Sequence, residues 1–231
     1  MCTYRDLYQR TEALVGEDAL EKLKKAKVLI CGLGGVGGYA CEALARAGIG
    51  TLGLCDMDTV DPTNCNRQIL ALQSTIGRRK ADVAEERVKD INPDAQTRKF
   101  AFRIDAETIE DLDIASWDYV ADCIDDVDAK VLLIRAAKDA GVPILCAMGT
   151  GNKLDASAFQ VCNIKKTEQD RLAKVMRRRL RDEGLDEGVT VVYSPEPPAA
   201  EIRNGVIPSI SYMPATAGLR IAGEILQNLI K

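Results

Sequence analysis

Three glycines, Gly32, Gly34 and Gly37, form a G-x-G-x-x-G pattern directly after an apolar run, Val28 to Cys31, and two acids, Asp56 and Asp58, close the next apolar run. Glycine lets the backbone turn tightly and lets a ligand come close, and the bare N–H groups and dipole of a following helix favour an anion. An acid about 20 residues beyond such glycines can accept hydrogen bonds from a ribose. The chemistry on offer is nucleotide binding, which the combination of strand, helix and acid favours over a turn that merely packs helix on strand. NAD is the usual ligand of this fingerprint. It accounts for Asp56, but not for Asn64 and Arg67 in the polar loop over 57–68, nor for Lys80, which follows Arg78 and Arg79. A further strand, DYVADC over 118–123, runs into Ile124, Asp125 and Asp126. Acids at such a position cap the next helix about as readily as they serve a ligand.

These residues need a frame. Strand-like runs over 27–31, 51–56, 118–123 and 143–148, and a segment over 95–102 that alternates as a strand does, are interleaved with helical patterns over about 35–48, from near Gly77, and over 127–140. This rhythm predicts an α/β fold with a doubly wound, mostly parallel sheet, Rossmann-like, whose ligand site lies at the C-terminal ends of the strands. One or two short helices over 3–25, broken near Gly16, precede it and carry Arg5 and Arg10. Beyond Gly149 a C-terminal extension is expected: strands over 157–163 and 189–194, a Pro-rich loop, a closing helix over 209–230, and an amphipathic helix over 167–183. In that last helix Leu172, Val175, Met176 and Leu180 share one face, while Lys174, Arg177, Arg178 and Arg181 share the other. The whole chain, 1–231, reads as a single domain, with a nucleotide-binding core over 1–150 and a C-terminal part over 151–231.

Composition narrows the function. With 31 Lys and Arg against 35 Asp and Glu the net charge is −4, so binding to a polyanion would need a local basic patch. No histidine is present, which removes imidazole as base or metal ligand. The eight cysteines form no C-x-x-C pair, so no zinc site is expected, and several sit in apolar strand runs, as reduced thiols do in a cytoplasmic protein. No apolar run approaches the roughly 20 residues of a membrane span.

The segment GLGGVGG, the string D-M-D-x-V-x-x-x-N-x-N-R-Q, Lys80 and D-C-I-D-D together resemble the ubiquitin-activating-type superfamily. That resemblance implies ATP with Mg²⁺: Asp56, beside Asp58, on the ribose, Asn64, Arg67 and Lys80 on the phosphates, Asp125 on the metal. It also implies that Arg10 reaches the phosphates, in some relatives from a partner subunit, so that a homodimer is expected. Within the superfamily the chain is most similar to the tRNA threonylcarbamoyladenosine dehydratases, through QRTEALVG, MGTGNKLD at 148–155, KTEQDRLAKVMRRRLRDEGL at 166–185 and PSISYMPATAGLRIAGEIL at 208–226. Some members carry a membrane-anchoring segment, for which no counterpart is expected here. Where some have Cys-Pro or Asp-Pro, this chain has Asp170-Arg171, so no cysteine role is carried over.

The implied reaction is adenylylation of the threonylcarbamoyl carboxylate on tRNA, followed by internal attack and loss of AMP. The basic helix, through Lys174, Arg177, Arg178 and Arg181, would contact tRNA. A solvated amphipathic helix is the alternative, since Glu168, Asp170 and Asp182 lie close by. The resemblance leaves room for a monovalent cation and for a sulfur-transfer partner such as a cysteine desulfurase. The rival readings are an adenylyltransferase acting on a sulfur-carrier protein, which shares the ATP residues, an NAD-dependent oxidoreductase, and a non-catalytic nucleotide sensor.

Overall fold

A computed structural model describes residues 3–231; Cys2, one of the eight cysteines, lies outside the described residues. Seven strands, β1 (Lys27–Cys31), β2 (Thr51–Cys55), β3 (Gln96–Phe100), β4 (Tyr119–Asp122), β5 (Ile144–Ala147), β6 (Gln160–Asn163) and β7 (Thr190–Tyr193), form one sheet in the order β3-β2-β1-β4-β5-β7-β6. All neighbours are parallel except the edge pair β6 and β7. The strand order reverses between β1 and β4, so their loops diverge at the C-terminal edge and leave a crevice there.

Helices α3 (Gly37–Arg46), α4 (Lys80–Ile91) and α7 (Tyr212–Leu229) cover one face; α5 (Val127–Asp139) and α6 (Arg171–Asp182) cover the other. The central strands are apolar on both sides because both sides are covered. In β1, Val28 and Ile30 join the core under α3 and α7, while Leu29 and Cys31 join the core under α5. Helices α1 (Tyr4–Val15) and α2 (Glu17–Lys25) break at Gly16, as expected. Tyr4 Oη donates to Gly48 O at 2.6 Å and Tyr8 Oη to Ala45 O at 2.8 Å, which pins α1 beneath the C-terminal end of α3.

Several expected boundaries move. The strand expected over 157–163 begins at Gln160, because Asp155 caps a 3-10 turn over Ala156–Ala158. The helix expected from Gly77 begins at Lys80: Gly77 has φ +83°, and Arg79 pairs with Thr59 in an isolated bridge. Arg78 and Arg79 therefore precede the helix and do not sit in its first turn. The helix expected over 167–183 begins at Arg171, because Gln169 has φ +60° and Asp170 caps the helix through Ala173 N–H at 2.8 Å. Its buried face is Ala173, Met176 and Leu180, with Leu172 partly buried; Val175 is 47% exposed and does not belong to it.

Candidate active site

The crevice holds a cavity of about 750 Å³. Its floor is the turn from β1 into α3. Gly32 has φ +86°, and a side chain there would meet Cys123 O at 2.8 Å; one at Gly37 would strike Gly32 O at 1.7 Å. These two glycines are demanded by the close approach of β1, β4 and α3. Gly34 is different. A Cβ there would have Gln68 Nε2 at 3.6 Å as its nearest neighbour and would stand in the cavity, in the space of a ligand.

Asp56, at the end of β2, accepts from Leu33 N–H at 2.7 Å and from Asp58 N–H at 2.9 Å. Burial pushes its carboxyl above the usual range, against the opposing pull of Lys80. Lys80 is almost buried and donates to Asp58 at 2.8 Å, with Asp56 Oδ1 at 3.9 Å. Asn64 is buried in a 3-10 turn, where its Oδ1 accepts from Asp61 N–H at 3.1 Å. Arg67 donates to Thr63 O at 2.9 Å and Asn66 Oδ1 at 2.8 Å, and lines the cavity beside Gln68, whose Oε1 is buried without a partner. Asp125 stands exposed on the opposite wall. Asp126, the other acid of that pair, caps α5 through Asp128 and Ala129 N–H and pairs with Arg103 at 2.6 Å.

Every residue expected at the nucleotide therefore lines or borders one cavity, except Arg10. Arg10 is exposed on α1, which is pinned at the far edge of the sheet, and does not line the cavity of its own chain. Nor does α6 present all four expected cations. Arg177 is half-buried and folds back onto Thr167, donating to its carbonyl at 2.6 Å and to its hydroxyl. Arg178 pairs loosely with Asp182 at 3.7 Å, while Lys174 and Arg181 are exposed and form no ion pair among the described residues.

Sequence reasoning missed several lining groups. Asp170 is buried, with Oδ2 unpartnered against Gly149, and burial raises its carboxyl. Lys153 is buried and donates to Ser194 O at 3.0 Å and Glu196 O at 2.6 Å; burial lowers its ammonium. Beneath the site, Asp122 and Lys130 form a wholly buried ion pair at 2.9 Å. Gln68 was legible only as the last letter of the N-R-Q string, Asp122 as the first of D-C-I-D-D, and Lys153 and Asp170 only as letters of the longer motifs at 148–155 and 166–185. Lys130 carried no local signal, because only the fold brings it to Asp122.

A glycine cradle for an anion, an acid for a ribose, and Arg67 and Lys80 on one side with Asp125 across from them can hold a nucleoside triphosphate. Mg²⁺ usually binds through one or two carboxylates, phosphate oxygens and waters, and the exposed carboxylate of Asp125 suits that mode. The fold and this crevice define a nucleotide-binding α/β protein of the doubly wound class. Residues 8–231 match the ThiF family, and the chain belongs to it.

It is 38% identical to the tRNA threonylcarbamoyladenosine dehydratase of Bacillus subtilis, over 97% of this chain and 94% of that protein. It is likewise 38% identical to the Escherichia coli protein of that name, over 84% of this chain and 75% of that one. The crystal structure of the E. coli enzyme in complex with ATP superposes with a TM-score of 0.92 at 33% identity, covering 100% of this chain and 97% of that one. A structure of the same enzyme with AMP superposes equally well, over 98% and 95%.

Proposed function

We propose that this protein is an ATP-dependent tRNA threonylcarbamoyladenosine dehydratase. The observation that carries the reading is that the nucleotide half of the cavity continues without a break into a second half, built from the 148–153 loop after β5 and the start of α6. That second half gives an acyl substrate room beside the nucleotide half.

In the first step the threonylcarbamoyl carboxylate attacks the α-phosphorus, the bond to the β-phosphate breaks and pyrophosphate leaves. In the second, the neighbouring carbamoyl group attacks the activated carbonyl, a proton is lost, the bond to AMP breaks and a ring closes. The net result is removal of one water. Arg67 and Lys80 would bind the phosphates and Asp56 the ribose, while Asp125 would hold Mg²⁺. Bound there, the ion supplies neutralisation of the phosphate charge. Charge neutralisation and in-line positioning are what such a reaction requires of a protein. Ring closure is intramolecular, where effective molarities reach roughly 10⁵ M or more, so no protein nucleophile is needed.

The finer assignments belong to the same reading. The enzyme acts in the cytoplasm; no helix among the described residues is long and apolar enough to cross a membrane. It works as a homodimer in which Arg10 reaches the partner's phosphates. Its tRNA lies along α6, and sulfur-transfer proteins are its expected associates. The test is incubation with ATP, Mg²⁺ and tRNA bearing threonylcarbamoyladenosine. AMP should appear together with loss of one water from the nucleoside. ATP-dependent adenylylation of a sulfur-carrier protein, with that tRNA left unchanged, would overturn it.

A further inference from the structure

The site's metal-facing acid stands on a loop that has no helix or strand of its own to hold it. Asp125 lies shortly past the end of β4, exposed, between that strand and the cap of α5. What fixes this loop lies beneath it. Lys130, on the first turns of α5, has no exposed surface and donates from Nζ to Ile124 O at 2.9 Å. The same Nζ lies 2.9 Å from Asp122 Oδ2. Asp122 Oδ1 in turn accepts from Ile124 N–H at 3.2 Å. Both polar groups of the residue before Asp125, its N–H and its carbonyl, are thus taken by one buried ion pair. On the other side the loop is backed by Gly32, which passes so close under Cys123 O that no side chain fits between them.

A wholly buried ion pair is a poor device for stability. Desolvation costs about as much as the attraction returns, and apolar residues of similar size often serve as well or better. Its value here is geometric. We infer that Asp122 and Lys130 are positioning residues that clamp the Ile124 peptide and thereby set where Asp125 presents its carboxylate to the metal-bound nucleotide. The inference rests on the proposed role of Asp125 and is independent of which carboxylate the enzyme activates.

The test uses the double substitution Asp122→Leu/Lys130→Met, which removes both charges together and leaves neither unpaired, beside Asp125→Ala and the combination of all three. The double variant should keep a cooperative thermal transition and bind ATP in EDTA as the wild type does. Amide exchange at Ile124 and Asp125 should speed up. The gain in ATP affinity on adding Mg²⁺ should shrink, and AMP formation should fall by about 10- to 100-fold with little change in KM, as when the supporting partner of a metal ligand is removed. Combining it with Asp125→Ala should add nothing further, as expected of groups acting through one another. If Asp125→Ala is damaging but the double variant keeps normal exchange, normal Mg²⁺ dependence and normal turnover, the clamp is overturned alone. If Asp125→Ala is itself harmless, the metal role of Asp125 is overturned and the clamp falls with it. Should the double variant not fold, Lys130→Met/Asp122→Asn, which keeps an acceptor for Ile124 N–H, is measured by the same exchange and Mg²⁺ readouts, with the same outcomes deciding.

Discussion

Asp125 and Asp170 are both acids at the cavity, yet their surroundings set them different tasks. Asp125 is exposed and forms no ion pair among the described residues, so its loss should leave the fold within about 0.5 kcal/mol of wild type. Asp125→Ala is expected to lower AMP release by about 10²-fold or more, the scale on which preorganised charge stabilisation is lost, with an unchanged melting temperature. Asp170 is buried with its carboxyl raised by desolvation. An acid that holds its proton more tightly when folded lowers stability as pH climbs from the ordinary carboxylate value through the raised one, and the deficit persists above. Asp170→Asn keeps the helix cap, since asparagine caps as well as aspartate, and drops the charge. Its melting temperature should exceed that of the wild type at neutral pH, with the difference closing as the pH falls below the ordinary carboxylate value. An offset that stays constant with pH would reject this account. At this scale the sequence spoke clearly for Asp56, Asn64, Arg67 and Lys80, whose spacing along one stretch of chain carries the signal. It was silent on Lys130, which looks like any helix lysine until the fold puts Asp122 beneath it.

At the scale of elements, α6 divides its cations by depth. Arg177 ties the helix to the turn at Thr167, while Lys174, Arg178 and Arg181 face outward. Reversing those three to Glu should raise KM for tRNA and flatten the salt dependence of binding by roughly one unit for each phosphate no longer neutralised, with ATP binding unaffected. Arg177→Ala should instead lower stability by about 1–3 kcal/mol, through the orphaned polar groups at Thr167, and change the salt slope little. Urea unfolding and filter binding at several salt concentrations separate the two. The periodicity of this helix was legible and its start was not. The left-handed backbone at Gln169 ends the preceding turn, and no residue-type preference announces it there. Strand positions, by contrast, were read well. Strands buried on both faces stand out as apolar runs, and those of β1, β2, β4 and β5 show it most clearly.

For the whole molecule, one chain leaves Arg10 on the wrong edge of the sheet for its own cavity. If it serves a partner's site, mixing Arg10→Ala with Asp125→Ala subunits restores one working site in each mixed dimer, so activity should return to about a quarter of wild type for random two-fold pairing. Demonstrated mixed dimers with no recovery would show that the arginine does not act across the dimer. The closing helix α7 bears on a different matter, the order in which the chain can fold. Ala217, Ile221, Ala222 and Ile225 sit in the same core as the first two strands, and Gly218 lies so close to Val36 O that a Cβ would come within 2.2 Å of it. On the ribosome, therefore, the glycine turn and the apolar face of α3 must wait for a partner that is made only after every strand of the sheet. Pairings this distant along the chain slow folding and expose intermediates to aggregation. A fragment ending before α7 should bind a hydrophobic dye and unfold without a sharp transition in urea, although it contains every strand of the sheet and every residue proposed to bind the nucleotide.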